Sequence, residues 1–140
     1  MRVIIGGAHN GKRAYVKTLL FDQENSDVQW FEGELPSPGS EKIVVAGLEK
    51  WLAKADLSEE DAIAHVIKSV ENRDTILILT DIGRGIVPVD VEQRKLRDIC
   101  GRLYQRLLAE ADDVTRIWYG IAQNIKKGEK FNENLYENRR

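Results

Sequence analysis

Three short apolar runs, residues 3–5 (Val-Ile-Ile), 43–46 (Ile-Val-Val-Ala) and 76–79 (Ile-Leu-Ile-Leu), are unbroken rather than alternating. An unbroken run of strand length is what a strand covered on both faces requires; a strand with one wet face alternates. Residues 114–119 are a weaker candidate and read as the last strand. Between the runs lie stretches of helical spacing. Ala14, Tyr15, Thr18 and Leu19 recur along a first helix from residue 11 to about residue 24, and Leu48, Trp51, Leu52 and Ala55 form one face of a short second helix. Ser58, followed by acids at 59–61, caps a third helix whose buried face is Ala62, Ile63, Val66, Ile67 and Val70. Asp90 and Gln93 have capping-box spacing ahead of a long helix striped by Leu96, Ile99, Cys100, Leu103, Tyr104 and Leu107. Residues 23–40 are polar and carry Gly33, Pro36, Pro38 and Gly39, so a short strand at 28–31 is expected inside a surface loop. Strands alternating with helices through right-handed crossovers give an α/β fold with three layers, a mainly parallel sheet and helices on both faces. With 140 residues there is room for one domain, expected over residues 1–126 and followed by a polar tail at 127–140.

Charge and residue counts exclude several classes of function. Lys and Arg total 21 against 23 Asp and Glu, a net charge of −2, so the chain is not expected to bind nucleic acid. Cys100 is the only cysteine and the histidines are His9 and His65, too few for an internal disulfide or a Cys/His zinc site. No stretch is long and apolar enough for a membrane span, and the first apolar run is shorter than a signal-peptide core. A cytoplasmic protein in a reducing compartment, with no membrane contact, is expected.

In such a sheet, ligands bind beyond the carboxyl ends of the strands. Gly6-Gly7-Ala8-His9-Asn10-Gly11-Lys12 stands there and fits the first seven places of the phosphate-binding loop G-x-x-x-x-G-K-[ST], between a strand and a helix. Glycines let backbone N–H groups turn toward a polyphosphate, the helix N-terminus adds favourable partial charge, and Lys12 reaches the terminal phosphates. The expected nucleotide site is therefore Gly6, Gly7, Ala8, His9, Asn10, Gly11, Lys12 and Arg13, in a P-loop NTPase-like fold. Arg13 occupies the place of the hydroxyl that ligates magnesium, and arginine binds no cation. Magnesium is then expected through water and Asp81, at the end of the third run, or else Arg13 replaces part of its charge. Lys12 and Asp81 are the expected catalytic pair. Arg84, Arg94 and Arg97 are expected to converge on a triphosphate if the loop at 82–90 folds over the site, whereas Lys95 reads as solvated. His65 reads as structural, Cys100 as a small core residue, and Trp30 and Trp51 as core or partner anchors.

From Asp81 onward the chain reads Asp-Ile-Gly-Arg-Gly-Ile-Val-Pro, then Arg94-x-x-Arg97-Asp98-x-x-Gly101-Arg102-x-x-Gln105, then Ala111-Asp112 and Gly120-Ile121 with Lys126. This pattern resembles the bifunctional adenosylcobinamide kinase and adenosylcobinamide-phosphate guanylyltransferase family of cobalamin biosynthesis. The Gly-Gly-Ala-x-x-Gly-Lys loop is similar too, and residues 46–52 look like the family's Asp-Cys-Leu-Thr-Leu-Trp-Leu stretch in altered form. The resemblance implies a P-loop α/β fold, ATP or GTP as substrate, phosphorylation of the aminopropanol hydroxyl of adenosylcobinamide, GMP transfer through a guanylylated histidine, and homo-oligomers. It matches Gly6, Gly11 and Lys12 to phosphate binding, Asp81 to the family's acid, and Arg94 and Arg97 to its basic pair. Three positions depart from it: Arg13 replaces Ser or Thr, Ala46 the strand-end aspartate, and Tyr104 an asparagine. The family's acceptor histidine, between the first helix and Trp30, has no counterpart, since no histidine occurs from residue 10 to residue 64. The expectation is a phosphotransferase of the cobinamide kinase type without guanylyl transfer. The alternative is a chain that kept the fold and binds nucleotide or a partner without catalysis.

Overall fold

The unbroken apolar runs become strands because both of their faces find cover. The computed structural model describes residues 1–7, 11–21, 27–81 and 90–127. Strand β1 (Arg2–Gly6) lies between β4 (Asp74–Thr80) and β5 (Asp113–Trp118), parallel to both. Strand β3 (Lys42–Ala46) pairs in parallel with β4, and β2 (Gln29–Glu32) with β3. The sheet order is β2-β3-β4-β1-β5-β6, in which β6 (Ile121–Lys126) is the one antiparallel member.

Alternate residues of each central strand feed two separate cores. Ile4, Val44, Ala46, Ile76, Ile78 and Ile117 face α1 (Lys12–Phe21), which contributes Val16 with Tyr15, Leu19 and Leu20. Val3, Ile43, Val45, Leu77, Leu79 and Val114 face the opposite side. There they meet α2 (Leu48–Lys54), α3 (Glu59–Val70) and α4 (Val91–Glu110) through residues such as Leu48, Val66, Cys100, Leu103 and Leu107. The three layers and the mainly parallel sheet are as the sequence predicts. Ser58 caps α3 by accepting from the Asp61 backbone N–H at 3.2 Å. Asp90 caps α4 by accepting from Glu92 at 2.9 Å, one residue earlier than the capping box places that bond. Cys100 is core, and burial pushes its thiol up to about 12.

One expectation is corrected. Residues 114–119 are not the last strand: β5 ends at Trp118, and β6 returns beside it through Tyr119 (φ 49°) and Gly120 (φ 74°). Trp118 pairs with Ile121, so the loop has two residues with the positive φ angles of a type I′ turn. The strand escapes a periodicity reading because all of its residues from Ile121 to Ile125 are exposed, leaving no buried face to impose alternation. Lys126 ends this strand, and residues 128–140 of the expected tail lie outside the described residues. Among the described residues no helix is long and apolar enough to cross a membrane.

Candidate functional site at the carboxyl edge of the sheet

Strands β1, β3 and β4 run in parallel, so Gly6, Ala46 and Thr80 end on one edge. Gly6 and Thr80 are register partners, and the next residue, Asp81, donates its backbone N–H to the Gly6 carbonyl at 2.9 Å. The expected acid and the start of the candidate phosphate loop are thereby tied together. Helix α1 opens at Lys12, straight after Gly11 at φ 83°. Lys12 is only 4% exposed, and its Nζ donates to the Gly7 carbonyl at 2.5 Å, folding the side chain back over the loop. Desolvation lowers its pKa below the ordinary lysine value, and the like charge of Arg13 adds to this, against a smaller opposing pull from Glu49. A cation held buried beside glycines at a helix start is suited to meeting an anion.

Arg13 is engaged elsewhere. Its Nε and Nη2 donate to Glu32 Oε1 and Oε2, both at 2.8 Å, in a two-pronged pair between α1 and the end of β2. That bonding raises the arginine pKa and lowers that of Glu32. The pair is about half exposed, so solvent screens it and trading it for phosphate costs about 1 kcal/mol at most. The next hydroxyl on the helix, Thr18, bonds its own helix at the Ala14 carbonyl, 3.0 Å away.

Two further groups belong to this edge, and the sequence reading passed over the first as a site residue. Glu49, in the first turn of α2, has an Oε2 that is buried and without a hydrogen-bond partner among the described residues. Its charge acts on Lys12 and Arg13 of α1 and on Cys100 and Tyr104 of α4. Tyr104 is buried and donates its hydroxyl to the Thr80 carbonyl at 3.0 Å, next to Asp81. Burial, then the charge of Glu49, drives its pKa upward, so the phenol stays a donor across the physiological range. Tyr104→Phe deletes a single bond from a buried carbonyl, and unfolding in urea is expected to show a loss of about 1–2 kcal/mol.

Arg94 and Arg97 lie on the first turns of α4, seven to ten residues before Tyr104, which is about 10–15 Å along the helix axis and beyond the strand ends. Arg94 is exposed, and Arg97 is half-buried with its Nε 4.0 Å from Asp98. Ala8, His9, Asn10 and Arg84 lie outside the described residues. Of the expected site, Gly6, Gly7, Gly11, Lys12, Arg13 and Asp81 share one edge. Beside it opens a cleft of about 530 Å³ lined by Gly6, Gly7, Asp81, Arg116, Trp118 and Lys126 among others. A smaller hollow of about 270 Å³, with Met1, Lys42 and Asp112 in its wall, sits at the opposite ends of the strands, away from the loop. His65 is exposed on α3.

The family model "Cobinamide kinase / cobinamide phosphate guanyltransferase" (CobU) matches residues 37–125, which is well over half of the chain. Two relatives carry the name "Bifunctional adenosylcobalamin biosynthesis protein CobU". The one from Salmonella typhimurium is 36% identical over 81 residues, 56% of this chain and 45% of that protein. The one from Escherichia coli is 41% identical over 51 residues, 36% of this chain and 28% of that protein. The matched segments therefore span less than half the length of these relatives. The family match covers Ala46, Glu49, Asp81, Arg94, Arg97 and Tyr104 but begins after Lys12, so the phosphate loop rests on its own spacing and geometry.

Proposed function

The chain belongs to the cobinamide kinase / cobinamide phosphate guanyltransferase family, and from that premise we propose that it binds ATP or GTP on the loop at 6–12 and phosphorylates adenosylcobinamide in cobalamin biosynthesis. The observation that carries this reading is Lys12, a buried lysine folded over a glycine loop at a helix start and one strand away from Asp81. Among the described residues its hydrogen-bond partner is the Gly7 carbonyl, which phosphate oxygens replace with stronger, charge-assisted bonds. Lys12 and the N–H groups of the loop hold the β and γ phosphates. Asp81 orients the metal or the aminopropanol hydroxyl; the hydroxyl oxygen bonds to the γ phosphorus as the bond to the nucleoside diphosphate breaks, and the hydroxyl proton passes to solvent. The cleft next to Asp81 suits the acceptor arm, because its walls are mostly apolar with a few charged groups at the rim. Arg94 and Arg97, on the first turns of α4, add positive charge for the phosphates in this reading, and Arg84 is proposed to join them.

The side chains fit magnesium held largely through water. No hydroxyl follows Lys12, but Asp81 and the Oε2 of Glu49, which has no hydrogen-bond partner among the described residues, are hard oxygen donors on the correct edge. When bound, magnesium neutralises charge between the β and γ phosphates. The triphosphate supply puts the reaction in the cytoplasm. Self-association is part of the same proposal, supported by Trp118, Tyr119, Ile121 and Ile125, which are large, apolar and exposed along the β5–β6 hairpin. Guanylyl transfer through a histidine is not part of it, since His9 and His65 are the only candidates and His65 lies exposed on α3. Ala46 at the end of β3 and the Arg13–Glu32 pair favour the second reading, nucleotide or partner binding without catalysis.

Incubation with γ-labelled ATP or GTP, magnesium and adenosylcobinamide tests both readings. Label is expected in the corrinoid and not in the protein. Measurable nucleotide binding with no corrinoid phosphate would establish the second reading, and failure to bind ATP, GTP and GDP would remove both.

A further inference from the structure

We propose that Glu49 is the metal-side acid of the phosphate site, acting from the first turn of α2 in place of the carboxylate that the end of β3 lacks. The proposal rests on the nucleotide-binding reading above and deepens it. Strand β3 stops at Ala46, a buried methyl whose carbonyl accepts from the Gly33 N–H at 2.8 Å. The chain then turns at Gly47, with φ 72°, directly into α2, so Glu49 stands three residues beyond the strand end.

What sets Glu49 apart from an ordinary acid in a first helical turn is its surroundings. Its Oε2 has lost water and gained no donor among the described residues. Leaving a buried carboxylate oxygen unpaired is costly, and such an atom calls for an explanation in a ligand or ion. Lys12 Nζ donates to Gly7, the Arg13 guanidinium to Glu32 and the Tyr104 hydroxyl to Thr80, and none of the three donates to this oxygen. The groups that feel its charge belong to two elements, Lys12 and Arg13 at the start of α1 and Cys100 and Tyr104 of α4, the helix that packs on α2. Tyr104 also feels the charge of Asp81, and its hydroxyl bonds the carbonyl of Thr80, the residue before that acid.

A carboxylate beside a triphosphate is repulsive unless a cation lies between them. Magnesium prefers one or two carboxylates, waters and substrate phosphate oxygens over a full protein cage. Glu49, Asp81 and the β and γ oxygens of a nucleotide make up that set. With Arg13 where a hydroxyl ligand would stand, the oxygen donors come instead from the side of the site that α2 and β4 build.

The test is nucleotide affinity measured by calorimetry on the full chain, with magnesium and with EDTA, for the wild type and Glu49→Gln. In EDTA the variant is expected to bind ATP or GTP at least as tightly as wild type, because one negative charge has gone. In magnesium it is expected to lose the metal-dependent gain by roughly 10-fold or more. Glu49→Asp, which keeps the charge and shortens the reach, is expected to fall between the two, and it serves alone if the amide variant does not fold. A wild-type magnesium gain in either variant would overturn the proposal. So would an equal loss with and without metal, which marks Glu49 as a counter-charge that positions Lys12. Absence of nucleotide binding by the wild type in both buffers would instead overturn the nucleotide-binding reading, and Glu49's role with it.

Discussion

Lys12→Ala is expected to weaken ATP or GTP binding by roughly 150-fold, the largest effect on ligand affinity of any single substitution in the chain. The figure corresponds to about 3 kcal/mol, the low end for two hydrogen bonds from an ammonium to phosphate oxygens. The argument starts in the ligand-free protein, where Lys12 is 4% exposed and has the Gly7 carbonyl as its hydrogen-bond acceptor. Desolvation lowers its pKa below 10.5, so between the folded and unfolded values the unfolded chain holds more protons and stability rises with pH. At neutral pH the charged lysine carries the whole penalty. A bound polyphosphate reverses the sign, holding the proton on and recovering that cost as affinity. Lys12→Met, which keeps the volume without the charge, is therefore expected to lose nucleotide binding while melting no lower than wild type. Calorimetric titration and thermal melts of the two variants separate site from scaffold. Unchanged affinity in Lys12→Ala would show that the loop does not hold phosphate.

How much of this was legible in the sequence depended on which forces act locally. Strands β1, β3 and β4 could be read from their unbroken apolar runs because both faces are covered by helices, and that demand is written into consecutive residues. Strand β6 could not, because an exposed hairpin strand imposes no pattern and its turn is Tyr119-Gly120 rather than an asparagine–glycine pair. The candidate phosphate loop stood out because its glycines and lysine are neighbours in the chain. Glu49 did not, since acids are common in the first turn of any helix, where they favour the dipole. Its distinction is a buried oxygen with no hydrogen-bond partner among the described residues, which depends on how α2 packs against α4 at the sheet edge. Arg13 shows the same limit: spacing says that it cannot ligate a cation, but its pairing with Glu32 depends on β2 lying beside the end of β3.

Gly6→Ala is expected to cost about 3 kcal/mol, near the upper end for forcing extra atoms into a packed site, and to lower the melting temperature by about 10 °C for a chain of this size. A Cβ at Gly6 would stand 2.4 Å from the carbonyl oxygen of Ile117, its register partner on β5. That atom is backbone, held in the ladder, so relief requires β1 and β5 to separate. The shift would spread to the site, because the Gly6 carbonyl accepts from Asp81 and the new methyl would also face Lys12 Cδ at 3.6 Å. Gly11→Ala provides the contrast: among the described residues a Cβ there meets nothing within 4 Å and the strain comes from φ 83°, so about 1 kcal/mol is expected. Urea unfolding distinguishes the two, and equal costs would mean that the close approach of β1 to β5 is not what requires glycine at position 6. Glycine at position 6 is thus dictated by the approach of β5, and glycine at position 11 by the turn into α1.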